Sequence, residues 1–310
     1  MNRQIALVTG ANGFIGSNLV KKLIHKNYEV HVIIKKESSI KRIQEFRNQI
    51  KIHINDLTNE DTLRILSKKI NPTVIFHLAT YENYRDQDKI NEMINTNIIG
   101  TKNLLLATKD IEYNCFINTG SSSEYGVKNM PMKETDTISP ISFYAATKAS
   151  ATHIASSFAK QYSKNVITFR LFSVYGPGEN NDRFIPNIVT SLKNDLPVFL
   201  TKGTVRHDFI YVDDVVDAYL KAAKLKHKPG DIYNIGTGRQ YTNEQVLKTL
   251  EKVARKKISV VKKTFTPRLW DTNFWVANNL KAKNKLGWKP KTNLEDGLKK
   301  TYTHFVKINV

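Results

Sequence analysis

The sequence predicts an α/β protein, with a doubly wound parallel sheet followed by a smaller, interleaved α/β lobe. Three observations carry this. Short apolar runs alternate with amphipathic stretches of helical length from the N-terminus to about residue 171, and a glycine-rich turn separates the first run from the first helix. Beyond the YGPGE stretch the rhythm shortens into mixed elements with Pro and Gly between them. A hydrophobic content of 40% over 310 residues supports one large core and a second, smaller one, and excludes a disordered chain.

In chain order, QIALVT, VHVII, KIHI, TVIFHLA, NCFINT and VITFRLF read as strands, while FIGSNLVKKLIHK and MINTNIIGTKNLLLATK carry helical periodicity. Six strands joined by helices imply parallel crossovers with helices on both faces. Then come FIPNIVTSLK, VDDVVDAYLKAAK, NEQVLKTLEKVA and LEDGLKKTYTHF, helical patterns of the second lobe. The expected division is 1–172, with contributions from about 205–235, and 173–310.

Charge and cysteine content bound the partners. The net charge of +20, from 48 Lys and Arg against 28 Asp and Glu, raises nucleic acid and acidic membranes as candidates. The basic residues are spread out, however, and the densest patch, KVARKKISVVKK, reads as a solvated face where a helix end passes into a strand. No nucleic-acid or membrane partner is expected. The apolar runs are strand-sized, and the N-terminus moves from a short apolar stretch straight into glycine, unlike a signal peptide. The single cysteine, Cys115, excludes an internal disulfide and reads as core packing, so a cytoplasmic setting is expected.

The turn TGANGFIG sets Gly10, Gly13 and Gly16 between the first strand and the first helix. Gly10 permits the tight turn, Gly13 lets backbone approach a pyrophosphate, and Gly16 allows the helix to lie close on the strand with its amides facing the anion. Tyr144 and Lys148 stand at i, i+4, on one face of a helix. Taken alone, they read as a solvated pair, His77 as a core histidine, and Asn97 as a cap on buried backbone.

The G-x-x-G-x-x-G spacing behind Thr9 resembles the extended short-chain dehydrogenase/reductase superfamily, the NAD-dependent epimerase/dehydratase family. YAATK (144–148), SSSEYG (121–126), HLAT (77–80), NIIGTKNLL (97–105), RLFSVYGPG (170–178), YNIGTG (233–238) and LGWKP (286–290) match in order, so the resemblance covers nearly the whole chain. It implies a Rossmann domain, a nucleotide-sugar-binding lobe, a homodimer formed through the helices near 88–109 and 142–162, and catalytic roles for Tyr144, Lys148 and Ser121. The cofactor contacts it implies are Gly10, Asn12, Gly13, Phe14, Ile15, Gly16, Lys35, Lys36, Asp56, Leu57, Leu78, Ala79, Thr80 and Asn97, besides Tyr144 and Lys148.

Hydride transfer to a carbonyl carbon leaves an alkoxide that needs a proton in the same event. Tyr144 fits as the acid. Poising a phenol of pKa about 10 near neutrality takes about 4 kcal/mol, within reach of an ammonium such as Lys148 and the nicotinamide charge. Ser121 fits as hydrogen-bond partner of the carbonyl oxygen.

Within the family, dehydratases carry an Asp-Glu pair after the hydroxyl residue; Ser122 and Ser123 stand here, so dehydration is set aside. NAD enzymes end the second strand with an acid for the adenosine ribose, and that position is Ile34. Lys35, supported by Lys36, Ser38 and Ser39, fits a 2'-phosphate, so NADP(H) is expected ahead of NAD(H). FIYVDDVVDAYL and VANNLKAKNKLGWKP resemble the CDP-abequose and CDP-paratose synthases, and the serine loop the GDP-4-keto-6-deoxymannose reductases. The implied activity is reduction of the C4 ketone of a nucleotide-linked 4-keto-6-deoxyhexose, in deoxysugar synthesis for surface polysaccharide or glycans. Substrate contacts are expected from Ser122, Ser123, Ser173, Arg206 and Arg268, with no metal. Arg206-His207-Asp208-Phe209 departs from the family's Arg-Asp-Phe, and Ser173 from a frequent Asn. An NAD-dependent 4-epimerase, and a non-catalytic cofactor- or RNA-binding protein, are the alternatives.

Overall fold

The chain, in a computed structural model, is described here over residues 3–81, 89–200, 205–262 and 271–307. It divides into two compact units. The first comprises Met1–Gly126, Thr137–Arg170 and Val216–Tyr233, and the second Val127–Asp136, Leu171–Val215 and Asn234–Val310.

The first unit is built on a parallel sheet. Its strands are β1 (Ile5–Thr9), β2 (Glu29–Ile34), β3 (Ile50–Ile54), β4 (Val74–His77), β5 (Cys115–Ser121) and β6 (Val166–Leu171). A strand the sequence reading did not count, at Ile232–Ile235, adds to the β6 edge and makes seven, in the order Ile232–Ile235, β6, β5, β4, β1, β2, β3. Buried along their whole length, β4 and β6 are mainly apolar runs, with His77, Thr168 and Arg170 as their polar side chains. The helices are α1 (Phe14–His25), α2 (Glu60–Ile70), α3 (Ile90–Met93), α4 (Gly100–Ala107) and α5 (Phe143–Gln161). Between α3 and α4 a π-turn, Ile94–Ile99, continues the same helical path. Leu63, Ile70, Ile75, Leu104, Phe116 and Phe158 belong to one core cluster beneath these helices. Cys115 lies in β5, fully buried, and burial pushes its thiol pKa well up, as packing without reactivity requires.

Strand order reverses between β1 and β4, so the ends of these two strands flank the switch point where doubly wound sheets bind ligands. Gly10 takes φ +69°, and a Cβ there would meet the Leu78 carbonyl carbon at 2.5 Å. The two strand-end loops thus press together as only glycine allows.

The second unit packs α6 (Phe184–Asn194), α7 (Asn243–Ala254) and α8 (Leu294–Lys307). Short strand pairs accompany them, among them Val198–Leu200 with Val260–Lys262, in parallel. Fully buried Asp208 ties three backbone segments, accepting hydrogen bonds from Thr237 and Gly238 N–H and, at 3.1 Å, from Ala277 N–H. Burial raises its pKa to about 6, against the lowering effect of these bonds.

Candidate active site

The glycine turn leaves α1 ready for an anion. Its N-cap, Gly13, offers no side-chain hydrogen bond, and no acidic residue sits in the first turn. A Cβ on Gly16 would lie 2.1 Å from the Gly10 carbonyl oxygen, so helix and turn are in contact; a Cβ on Gly13 would meet nothing closer than 3.2 Å. That open side, bare of side chain and lined by helix amides, fits the pyrophosphate of a dinucleotide. Asn12, Phe14 and Ile15 are each partly exposed around it.

Around the β1 and β4 ends the polar groups form one directed chain. Ala79 N–H donates to Thr9 Oγ1 at 3.2 Å, Thr9 Oγ1 lies 2.7 Å from His77 Nδ1, and His77 Nε2 lies 2.9 Å from Thr101 Oγ1. Thr101 donates its own hydroxyl to the Asn97 carbonyl at 2.6 Å. Its oxygen can therefore only accept from His77, which assigns the proton to Nε2 and leaves Nδ1 to accept from Thr9. Burial, with Lys148 adding, holds the imidazole pKa down to about 3, so it is neutral at physiological pH.

Asn97 continues the chain. Its side-chain oxygen accepts from Tyr81 N–H at 2.8 Å and from Thr80 at 3.1 Å, while its amide donates to Tyr81 O and to Thr147 Oγ1, both at 3.0 Å. Thr147 donates in turn to the Tyr144 carbonyl at 2.9 Å. The expected capping by Asn97 is present, and through Thr147 it also holds the start of α5. Leu78 is buried, while Thr80 is exposed.

Tyr144 is partly exposed at the start of α5, where Ser142 caps the helix by accepting from Ala145 N–H at 3.1 Å. Lys148, one turn on, is only 4% exposed. Ser121 ends β5 and caps the tight turn Ser122–Tyr125, its hydroxyl accepting from Ser123 N–H at 3.2 Å and lying 2.8 Å from the Ser123 hydroxyl. Ser122 is buried and Ser123 partly exposed. Glu124 closes a capping box by accepting from Ser121 N–H at 2.8 Å. Fully buried, it also meets Arg170 Nε at 2.8 Å and Thr152 Oγ1 at 3.1 Å.

At the end of β2, Ile34 is buried and Lys35 and Lys36 are exposed. Lys35 pairs with Asp56 at 3.4 Å, both side chains nearly half exposed. Burial pushes the Asp56 pKa up, but hydrogen bonds from Thr58 and the Lys35 charge outweigh it, and the net shift is down. Leu57 is buried, its carbonyl accepting from Asn103 at 2.8 Å. Asn12 donates to the Ser39 carbonyl at 3.2 Å, and Arg42 reaches the Asn12 carbonyl at 3.5 Å. Arg42 is a basic neighbour of the glycine turn that the sequence reading missed, because spacing does not show which way the segment after β2 folds. The Glu124 pairing with Arg170 was missed too, although the Ser-x-x-Glu spacing of a capping box was visible.

In the second unit, Ser173 is partly exposed, its N–H donating to the Asp208 carbonyl at 3.0 Å. Arg206 is exposed on a two-residue strand beside Thr242. His207 faces the Phe209 and Trp275 rings, with centroids at 5.7 and 6.4 Å. Arg268 lies outside the described residues.

A parallel sheet in this order, with a side-chain-free helix N-terminus at its switch point, defines a dinucleotide-binding α/β protein. Residues 6–236 match the NAD dependent epimerase/dehydratase family, and the chain belongs to that family. It is 28% identical to the human dTDP-D-glucose 4,6-dehydratase, over 95% of this chain and 88% of the relative. The UDP-glucose 4-epimerase of Thermotoga maritima, solved with UDP-glucose, superposes with a TM-score of 0.88 at 30% identity, over 97% of this chain and 98% of that one. A UDP-glucuronic acid 4-epimerase from Bacillus cereus, in complex with UDP-glucuronic acid and NAD, gives 0.87 at 28% identity, over 97% and 99%. Members of this family act on nucleotide sugars, and this chain is an enzyme of that kind.

Proposed function

We propose that the chain is an NADPH-dependent reductase of the C4 ketone of a nucleotide-linked 4-keto-6-deoxyhexose. The observation that carries this is the end of β2, where buried Ile34 offers no carboxylate to the ribose hydroxyls and basic side chains follow. Lys35, Ser38 and Ser39 suit a 2'-phosphate, and Arg42 beside Asn12 adds a planar cation of the kind that binds phosphate oxygens in pairs. The exposed Lys35–Asp56 pair is weak enough for a phosphate to displace. Ser122 and Ser123, where an acid-base pair would be needed, argue against dehydration.

A bound nicotinamide supplies the hydride. Tyr144 holds the phenolic proton and gives it to the carbonyl oxygen as that oxygen gains charge. Ser121 hydrogen-bonds the same oxygen and keeps it in reach. Lys148, buried one turn behind Tyr144, favours the phenolate that forms, which then regains a proton from solvent. Arg206 and Arg268 are assigned to the substrate diphosphate.

An NAD-dependent 4-epimerase is the second reading, favoured by the epimerases and bound NAD among the similar structures. The two separate in one assay. NADPH and NADH are offered with 4-keto-6-deoxyhexoses on CDP, dTDP, GDP and UDP, cofactor oxidation is followed and the product is identified. NADPH oxidation with one of them is expected, and Lys35→Asp should move the preference toward NADH. A purified protein that retains nicotinamide absorbance and interconverts C4 epimers without added cofactor overturns the reductase reading.

A further inference from the structure

Burying a carboxylate is expensive unless it is paired and fully hydrogen-bonded, and a capping box on a surface turn needs neither burial nor a counter-charge. Glu124 has both. One carboxylate oxygen accepts from Ser121 N–H at 2.8 Å and from Thr152 Oγ1 at 3.1 Å; the other meets Arg170 Nε at 2.8 Å. Those partners come from the end of β5, from α5 and from β6. Glu124 is 0% exposed and Arg170 2%, and the guanidinium lies 4.5 Å from the centre of the Tyr125 ring.

The surroundings are shaped to this carboxylate. A Cβ on Gly120 would lie 2.6 Å from Glu124 Oε1, so the residue before Ser121 has no side chain where the carboxylate passes. The Glu124 carbonyl accepts from Ser139 N–H at 3.1 Å, which anchors the other side of the turn. Thr152 follows Tyr144 and Lys148 at the next i, i+4 step along the same face of α5. The face that carries the phenol and the ammonium is therefore the face that Glu124 grips.

We propose that Glu124 is a positioning residue for Ser121, Tyr144 and Lys148. Its carboxylate locks the Ser121 turn to α5 and places a compensating negative charge beside the Lys148 end of that face. This rests on the catalytic roles given above to those three residues. The charged groups around it are Arg170 on β6 and Lys148 on α5, with the neutral Tyr125 phenol against Arg170; burial raises the Glu124 pKa, and Arg170, the Ser121 N–H and Lys148 oppose the rise. His77 on β4 also interacts with Lys148, and is neutral throughout the range tested.

The sign of the effect follows. Replacing Glu124 by Gln keeps the shape and removes the negative charge, leaving Lys148 and Arg170 uncompensated. The phenolate of Tyr144 is then favoured, and its pKa falls. In Glu124→Gln/Arg170→Met the fall has the same sign and is smaller, because Glu124 touches α5 directly through Thr152 while Arg170 contacts the turn through Glu124 and the Tyr125 ring. The double variant also removes any unpaired buried charge that could unfold the single one.

The test is a tyrosinate absorbance titration of each protein minus its own Tyr144→Phe partner, which isolates Tyr144 and needs no substrate. The expected result is a downward shift of at least about half a unit in Glu124→Gln, and a smaller one in the double variant. In parallel, kcat should fall about tenfold or more in the double variant with KM within about twofold. A folded variant, judged by near-ultraviolet circular dichroism, with an unshifted Tyr144 titration overturns the proposal, as does a double variant with wild-type kcat. Should the wild type turn over no nucleotide sugar, the reductase reading fails while the titration still decides the role of Glu124.

Discussion

Gly16 has no room for even a methyl group, since its Cβ would meet the Gly10 carbonyl oxygen at 2.1 Å. Gly16→Ala must push α1 away from the turn that presents its amides. NADPH and NADH affinity, read by fluorescence titration, should weaken by about tenfold or more. An unchanged affinity would show that this turn does not hold the dinucleotide. On β2, the Lys51 and His31 hydrogen bonds hold the Glu29 pKa down to about 2. With a folded pKa below the unfolded value, the bridge stabilises above about pH 4.5, and the contribution is lost as pH falls from there toward 2. Because Glu29 is 30% exposed, the expected size is only about 1 kcal/mol. Urea unfolding should find Glu29→Gln less stable than wild type by that amount at pH 7 and equal to it near pH 2; a difference independent of pH would sink the account. The glycine turn was legible because it follows from local backbone geometry, whereas the Tyr144–Lys148 pair was legible as a site only through its resemblance to the family motif. The Glu29, Lys51 and His31 cluster was not, because it depends on strand register.

At the scale of elements, the stretch from α3 to α4 shows what periodicity conveys and what it leaves out. The apolar pattern of MINTNIIGTKNLLLATK announces a helix, and a helix forms. The π-turn at Ile94–Ile99 inside it is invisible to that pattern, yet Asn97 sits within it, 1% exposed, bonded to Tyr81, Thr80 and Thr147. π-Turns of this kind often mark functional positions. Asn97→Ala strips the partly buried Tyr81 N–H and carbonyl of their partners and should cost about 1–2 kcal/mol in urea unfolding; a cost below about 0.5 would mean that water replaces the amide without loss. The strand Ile232–Ile235 was likewise not counted, since an edge strand of four residues looks like any short apolar run until the sheet offers it a partner.

At the scale of the molecule, a net charge of +20 makes like-charge repulsion a standing cost of the compact state. Raising salt from about 20 to about 200 mM shortens the Debye length to under about 10 Å. The melting temperature should rise by about 2–5 °C; a fall would show that the surface ion pairs, such as Lys248–Glu244 and Lys256–Asp195, outweigh the repulsion. Among the described residues no helix is long and apolar enough to cross a membrane. The sequence by itself determined the doubly wound sheet and the glycine turn, because these depend on periods of two and 3.6 residues and on backbone freedom at single positions, while Ser121, Tyr144 and Lys148 became candidates through the ordered motifs that resemble the family. Only tertiary structure decided that Lys35 faces Asp56, that Arg42 reaches the glycine turn, that His77 carries its proton on Nε2, and that Glu124 is buried against Arg170. Those facts join residues 21 to 46 positions apart in the chain, and a charge or proton is placed by its nearest partners in space, which no local pattern of residues encodes.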